Sequence, residues 1–262
     1  MTRVIVKVAV VVMVLVVLTF AGYAVIHARA AGGGTSLPAL APSAIPSLPG
    51  PTPSAKPTPI PRWQVAKAVG DVVARTRPAS AAPVRARFGR LNVSGYPSLF
   101  LVRRIREVGD ITWYDVWLPI RPNESHGWVR EGSVAIFTTS ARIVIDLSAR
   151  RLTVYRRGDR LGGFSVAVGT PALPTPTGHY YINEKLRPPS PGGPYGVLAI
   201  GISAFQPRLP NWPLGGPVAI HGTNQPELIG QAVSHGCVRM HDKDVLKVSE
   251  WVPSGSPVDI VP

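Results

Sequence analysis

The chain has 262 residues, enough for one or two domains with appendages. Its 28 Lys and Arg against 14 Asp and Glu give a formal net charge of +14, spread along the chain rather than clustered. No basic stretch interleaves with stacking aromatics and no helix-turn-helix or zinc-finger spacing occurs, which argues against nucleic acid as a partner. The diffuse charge suits anionic polymers or lipid headgroups, or reflects an Arg-rich composition alone.

Residues 1–30 carry a targeting pattern. Arg3 and Lys7 precede an uncharged run from Val8 to Ile26. As a helix this run spans roughly 28 Å, close to the hydrocarbon thickness of a bilayer. Residues 8–26 are therefore expected to be a single transmembrane helix, with the N-terminus inside and the remainder exported. A cleavable signal peptide is the competing reading, because Ala28 and Ala30 supply a small-x-small site. Both place the bulk of the chain outside the cytoplasm, anchored to the cell membrane or secreted. Residues 31–61 hold nine prolines and one charge, Lys56. Such a segment cannot bury a core and is expected to be a disordered tether reaching on the order of 90 Å.

Residues 62–140 read as a small β module. Val65, Val69, Val72 and Val73 stand at helical spacing, which predicts a short helix within 63–76. Two strand-like stretches follow, Ser98–Arg104 and Thr112–Ile120, and then a turn that leads into Trp128. The string WLPIRPNESHGWV resembles the end of bacterial SH3-like modules, which implies a small SH3-like β-barrel. At least two of Trp113, Trp117 and Trp128 are expected in its core. His126 reads as a solvated loop residue.

Residues 141–262 read as strand after strand. Arg142–Leu147 and Arg151–Arg157 form a hairpin around Ser148–Arg150, and strands follow near 161–168, 179–183, 197–202, 218–220 and 258–261. One helix is predicted over Asp242–Val252, with Asp242 as N-cap and Val245, Leu246, Ser249 and Val252 on one face. The fold class is mainly β with one short helix, and the segment is long enough to bury a core.

Cys237 is the only cysteine, so it has no disulfide partner within the chain. A thiol attacks as thiolate and needs a base within reach and a group to orient that base. His221 stands at the predicted end of a buried strand and can be that base. Gly222 permits an unusual backbone turn, so a main-chain carbonyl can orient the imidazole. Gly236 lets the N–H groups of 236–237 point at one oxygen as an oxyanion hole. Arg239, two residues on, projects to the same side as Cys237 and can hold a substrate carboxylate.

HGTN (221–224) followed by SHGCVRM (234–240) resembles the signature of the L,D-transpeptidase family, the YkuD-type enzymes of peptidoglycan. VIDLSARRLTVY and PTPTGHYYI extend the resemblance over 141–262. It implies a β-sandwich-like catalytic domain in which Cys237 is the nucleophile and His221 the base, oriented by the Gly222 carbonyl. Ser234, His235, Gly236 and Arg239 line the site, and Tyr195 in the Pro188–Gly196 loop contacts substrate as part of a lid. The implied reaction is acyl transfer from a stem peptide through a thioester, giving 3→3 cross-links, with no cofactor, no metal and a monomeric chain. Carbapenems are acyl donors to that family.

Three rival readings stay open. Water as acceptor makes the same site an L,D-carboxypeptidase. A non-catalytic wall-binding protein has no use for Cys237 and His221. His235, Cys237 and His241, with or without His221, could ligate zinc, although no paired ligand spacing is present and Arg239 adds positive charge.

Overall fold

The computed structural model describes residues 59–211 and 216–262. The run 8–26 and almost all of the Pro-rich segment lie outside the described residues. Among those described, no helix is long and apolar enough to cross a membrane.

The described chain is mainly β. The first half contributes β1 (Trp63–Ala68), β2 (Val72–Arg75), β3 (Val84–Phe88), β4 (Leu99–Val108), β5 (Ile111–Trp117), β6 (His126–Arg130) and β7 (Val134–Thr139). They form one sheet in the order β3-β2-β6-β5-β4-β1-β7. The helix expected within 63–76 is two strands instead. Gly70 and Asp71 break the run, and β1 is held on both sides, by β4 and β7. A strand flanked on both edges satisfies all its backbone groups, and β-branched valine fits that pleated surface. Phe100, Val116, Leu118 and Val129 fill the core of this half.

Trp113 and Trp128 are buried and Trp117 is half-buried. His126 opens β6 rather than lying in a solvated loop. Its Nδ1 is 2.9 Å from Oδ1 of Asp115, whose Oδ2 is met by Arg103 at 2.9 Å and Arg104 at 2.8 Å. Asp115 is fully buried, and a carboxylate withdrawn from water requires such partners.

The second half continues with β8 (Ala141–Asp146), β9 (Arg151–Arg156), β10 (Asp159–Ser165), β11 (Val168–Gly169), β12 (Gly178–Leu186), β13 (Ala199–Phe205), β14 (Pro217–His221), β15 (Ala232–Ser234), β16 (Val238–Arg239), helix α1 (Asp242–Trp251) and β17 (Pro257–Val261). Eight of these strands make one sheet in the order β10-β9-β8-β17-β12-β13-β14-β16, while β11 and β15 pair separately. Alternating apolar residues of β8 and β9, such as Ile143, Ile145, Leu152 and Val154, join Ile200, Ile202 and Ile220 from the far end of the sheet in one core. The helix adds Val245 and Val248, with Val252 just beyond it; Val248 takes the buried place expected of Ser249. Its N-cap is His241, not Asp242.

The two halves belong to one compact unit and share a core of their own. Val65, Leu99 and Leu101 of the first sheet pack on Tyr181 of β12. Polar ties surround this cluster. Thr139 Oγ1 meets Ser256 Oγ at 3.0 Å, Asn92 donates to Glu184 at 2.7 Å, and the His179 N–H donates to Glu124 at 3.0 Å.

Tyr181 is wholly buried and its hydroxyl has no hydrogen-bond partner among the described residues. Burying an unpaired hydroxyl opposes folding. Tyr181→Phe is therefore expected to stabilise the protein by about 1 kcal/mol, and Tyr181→Ala to cost ~3–5 kcal/mol by opening the seam between sheets. Urea midpoints at unchanged m-value measure both.

Candidate active site

β14 lies between β13, to which it runs antiparallel, and β16, to which it runs parallel. The parallel register sets Ile220 opposite Val238 and His221 opposite Arg239. Cys237 thus enters the sheet beside the strand that carries His221. His221 is 3% exposed, and its carbonyl accepts from Met240 N at 2.8 Å, which fixes the strand end. Its Nδ1 is 2.6 Å from the Gly222 carbonyl. A carbonyl only accepts, so Nδ1 carries the proton and Nε2 the lone pair.

His221, Ser234, His235, Cys237, Arg239 and Tyr195 line one cavity of about 290 Å³, together with Gln206, Leu209 and Pro217. The Tyr195 ring centroid is 4.9 Å from that of His221. Gly222 and Gly236 are not among its lining residues. Arg239 Nη1 donates to Gln225 at 3.3 Å, whereas its buried Nε has no partner among the described residues. The guanidinium thus keeps donor capacity for an anionic group. No three His, Cys, Asp or Glu side chains among the described residues are grouped as a metal site.

This constellation sits on the part of the chain that matches known proteins. The family model described as the L,D-transpeptidase catalytic domain, YkuD, matches residues 140–260. A candidate L,D-transpeptidase, YkuD of Bacillus licheniformis, is 38% identical over 125 residues, covering 48% of this chain and 68% of that protein. YkuD of Bacillus subtilis is 36% identical over 124 residues, covering 47% and 68%. The chain belongs to the L,D-transpeptidase family. A solved L,D-transpeptidase from Mycobacterium tuberculosis H37Rv aligns over 63% of this chain and 90% of its own at 19% identity, with a TM-score of 0.43.

In this family member the turn that presents Cys237 departs from the sequence expectation. The Gly236 N–H donates to Ser234 Oγ at 3.0 Å, and that hydroxyl donates to the Cys237 carbonyl at 2.5 Å. The Gly236 amide is therefore occupied within the turn and does not point at an oxyanion. Ser234 closes the turn. Gly236 is required because its φ is +119° and because a Cβ would strike the Gln206 amide.

Gly222 has no left-handed backbone, so its need for glycine is steric rather than conformational. A Cβ there, or at Gly196, would collide with the Asp242 carboxylate. Asp242 Oδ1 accepts from Thr223 N at 3.1 Å and Val197 N at 3.4 Å. The residue expected to cap α1 instead ties the chain after Gly222 to the chain after Tyr195. Sequence reasoning missed this role, and it missed Gln206 altogether. Asp242 fits a helix start by type alone, and a glutamine past a strand end gives no sign of burial.

Burial is the main electrostatic force on the pair. It pushes the His221 pKa down to about 4, assisted by the Arg239 charge and opposed by the Gly222 carbonyl and Asp242. Burial also pushes the Cys237 thiol up, opposed by a backbone hydrogen bond from Ala219 and by Arg239. The resting pair is thus thiol and neutral imidazole, not thiolate and imidazolium.

A stability consequence follows from His221. Folded, it protonates near 4; unfolded, near its ordinary 6.5. Between those values the unfolded chain binds the additional proton, so the stability present above pH 6.5 drains away as pH falls toward 4. Wild type should lose about 3 kcal/mol more than His221→Gln between pH 7 and pH 4. Urea unfolding of both proteins at the two pH values measures the difference.

Proposed function

We propose that the chain is a peptidoglycan L,D-transpeptidase acting on the outer side of the cell membrane. The observation that carries the reading is the shared cavity. A lone cysteine, a neutral histidine with its lone pair on Nε2, and an arginine with donor capacity face the same space. The uncharged run 8–26 and the Pro-rich segment after it support an anchor and tether, and the first sheet is read as an SH3-like module.

In this reading His221 Nε2 takes the Cys237 proton as sulfur attacks the carbonyl carbon between the third stem residue and the terminal D-alanine. The Cys237 N–H faces the developing oxyanion, since the Gly236 N–H is engaged. The C–N bond breaks, and the D-alanine amine leaves with the proton from His221. An amine of a neighbouring stem then attacks the thioester and gives its proton to His221. The C–S bond breaks, the thiol is restored and a 3→3 cross-link results. Tyr195 covers the imidazole, and Arg239 holds the donor carboxylate. No metal or cofactor takes part.

Incubation with a disaccharide-tetrapeptide tests the reaction class by product mass. Dimer is expected; loss of alanine with gain of water would make the protein a carboxypeptidase, and no change would make it a binder. A carbapenem tests the chemistry, with one mass adduct expected on Cys237. Cys237→Ala should abolish it, His221→Ala should slow it about 100-fold or more, and a chelator should do nothing. An adduct that survives Cys237→Ala would overturn the mechanism.

Arg239→Ala should raise KM for the donor stem about tenfold or more while alkylation of Cys237 by iodoacetamide stays within ~3-fold of wild type. Equal loss of both would place Arg239 in thiol activation instead.

A further inference from the structure

We propose that Gln206 is a positioning residue for the nucleophile turn, held in place by residues 121–123 of the turn between β5 and β6, so that both halves build one active site. The proposal rests on the reading of Cys237 as nucleophile.

Gln206 follows β13 and is 3% exposed, yet its polar atoms are all engaged. Nε2 donates to the Pro174 and His235 carbonyls, each at 2.9 Å, and Oε1 accepts from Arg208 N at 3.1 Å. Its own N–H donates to the Gly216 carbonyl at 2.8 Å. His235 lies two residues before Cys237. Holding its carbonyl fixes the 235–236 peptide plane from outside the turn, while Ser234 holds the turn from inside. The left-handed Gly236 sits against the same amide. Between these restraints the direction of the Cys237 side chain and of its N–H is set.

The β5–β6 turn of the first half anchors the other end. Asn123 pairs with the Phe205 backbone through two hydrogen bonds, donating to the carbonyl at 2.8 Å and accepting from the N–H at 2.8 Å. Arg121 Nη2 donates to the Gln206 carbonyl at 2.7 Å, with its guanidinium 5.4 Å from the Phe205 ring centroid. The backbone of 205–206 is thereby clamped from the first half while the Gln206 side chain steers a turn of the second. A reacting group displaced by about 1 Å can lose on the order of 100-fold in rate, so such a clamp acts on chemistry and not only on stability.

The test is Gln206→Glu in the full chain, with carbapenem acylation of Cys237 followed by mass. One carboxylate oxygen still accepts from Arg208 N, but the other faces two carbonyls that need a donor. At pH 7 the acylation rate is expected to fall about 100-fold with little change in half-saturating carbapenem concentration. Toward pH 5 the carboxyl takes a proton, the donor returns for one carbonyl, and the rate should recover about tenfold relative to wild type. His221, protonating near 4, remains a base throughout this range. Wild-type rate at pH 7, or an equal loss at pH 7 and pH 5, would overturn the positioning role. Should the variant not fold, Asn123→Ala carries the test from the first half: about a fivefold fall in maximal rate at unchanged half-saturation is expected, and an unchanged rate overturns the proposal. A wild-type chain that takes no adduct on Cys237 would refute the nucleophile reading itself, before any variant is compared.

Discussion

The parallel contact between β14 and β16 is two residue pairs long, and the geometry of the cavity depends on it. It is the only ladder that brings the histidine and cysteine segments of the described chain side by side. A pairing this short holds little by itself, since parallel ladders are weaker per residue than antiparallel ones. Its surroundings reinforce it. The Met240 N–H closes on the His221 carbonyl, and β11 pairs with β15 just before the turn. Asp242 draws together the chain after Gly222 and the chain after Tyr195. Three glycines make this possible. Gly196 and Gly222 leave room for the carboxylate, and Gly236 for the Gln206 amide.

Electrostatically the site is tuned by dehydration more than by charge. The same burial that lowers the histidine raises the thiol, so proton transfer between them costs free energy. Arg239 favours the thiolate and disfavours the imidazolium. The Gly222 carbonyl and Asp242 favour the imidazolium. These opposed influences leave both partners neutral at rest, and in the proposed reaction charge would move to an oxygen and to the imidazole together only as sulfur bonds to carbon.

Much of the fold was legible because its strands alternate cleanly. The β8–β9 hairpin, β12, β14, β17 and the extent of α1 follow from periodicity, and the strings around His221 and Cys237 carry their own chemistry. The misreadings each have a cause. Val65, Val69, Val72 and Val73 fit a helix by spacing, and only Gly70–Asp71 and the partners on both sides of β1 decide otherwise. His126 looked solvated because its partner, Asp115, is eleven residues away in sequence and becomes adjacent only through sheet pairing. Gly236 and Asp242 were given the wrong partners: the Gly236 N–H is taken by Ser234, and Asp242 accepts from Thr223 and Val197 instead of capping α1. Gln206 was invisible, because its role depends on Pro174, His235 and Arg121, none of them close in sequence.

Tyr181 gives the architecture a different meaning. Its ring leaves the eight-stranded sheet and packs among Val65, Leu99 and Leu101 of β1 and β4, with Trp63 and Trp117 against the same cluster. Severed at the boundary near residue 140, the second half would present that ring, and the apolar surface around it, to water. The stretch matched by the family is therefore not a portable cassette in this chain. Its first sheet serves as a lid on the core rather than as a detachable passenger. Transplanting the family-matched half onto another domain would require resurfacing the face that Val65, Leu99 and Leu101 now occupy.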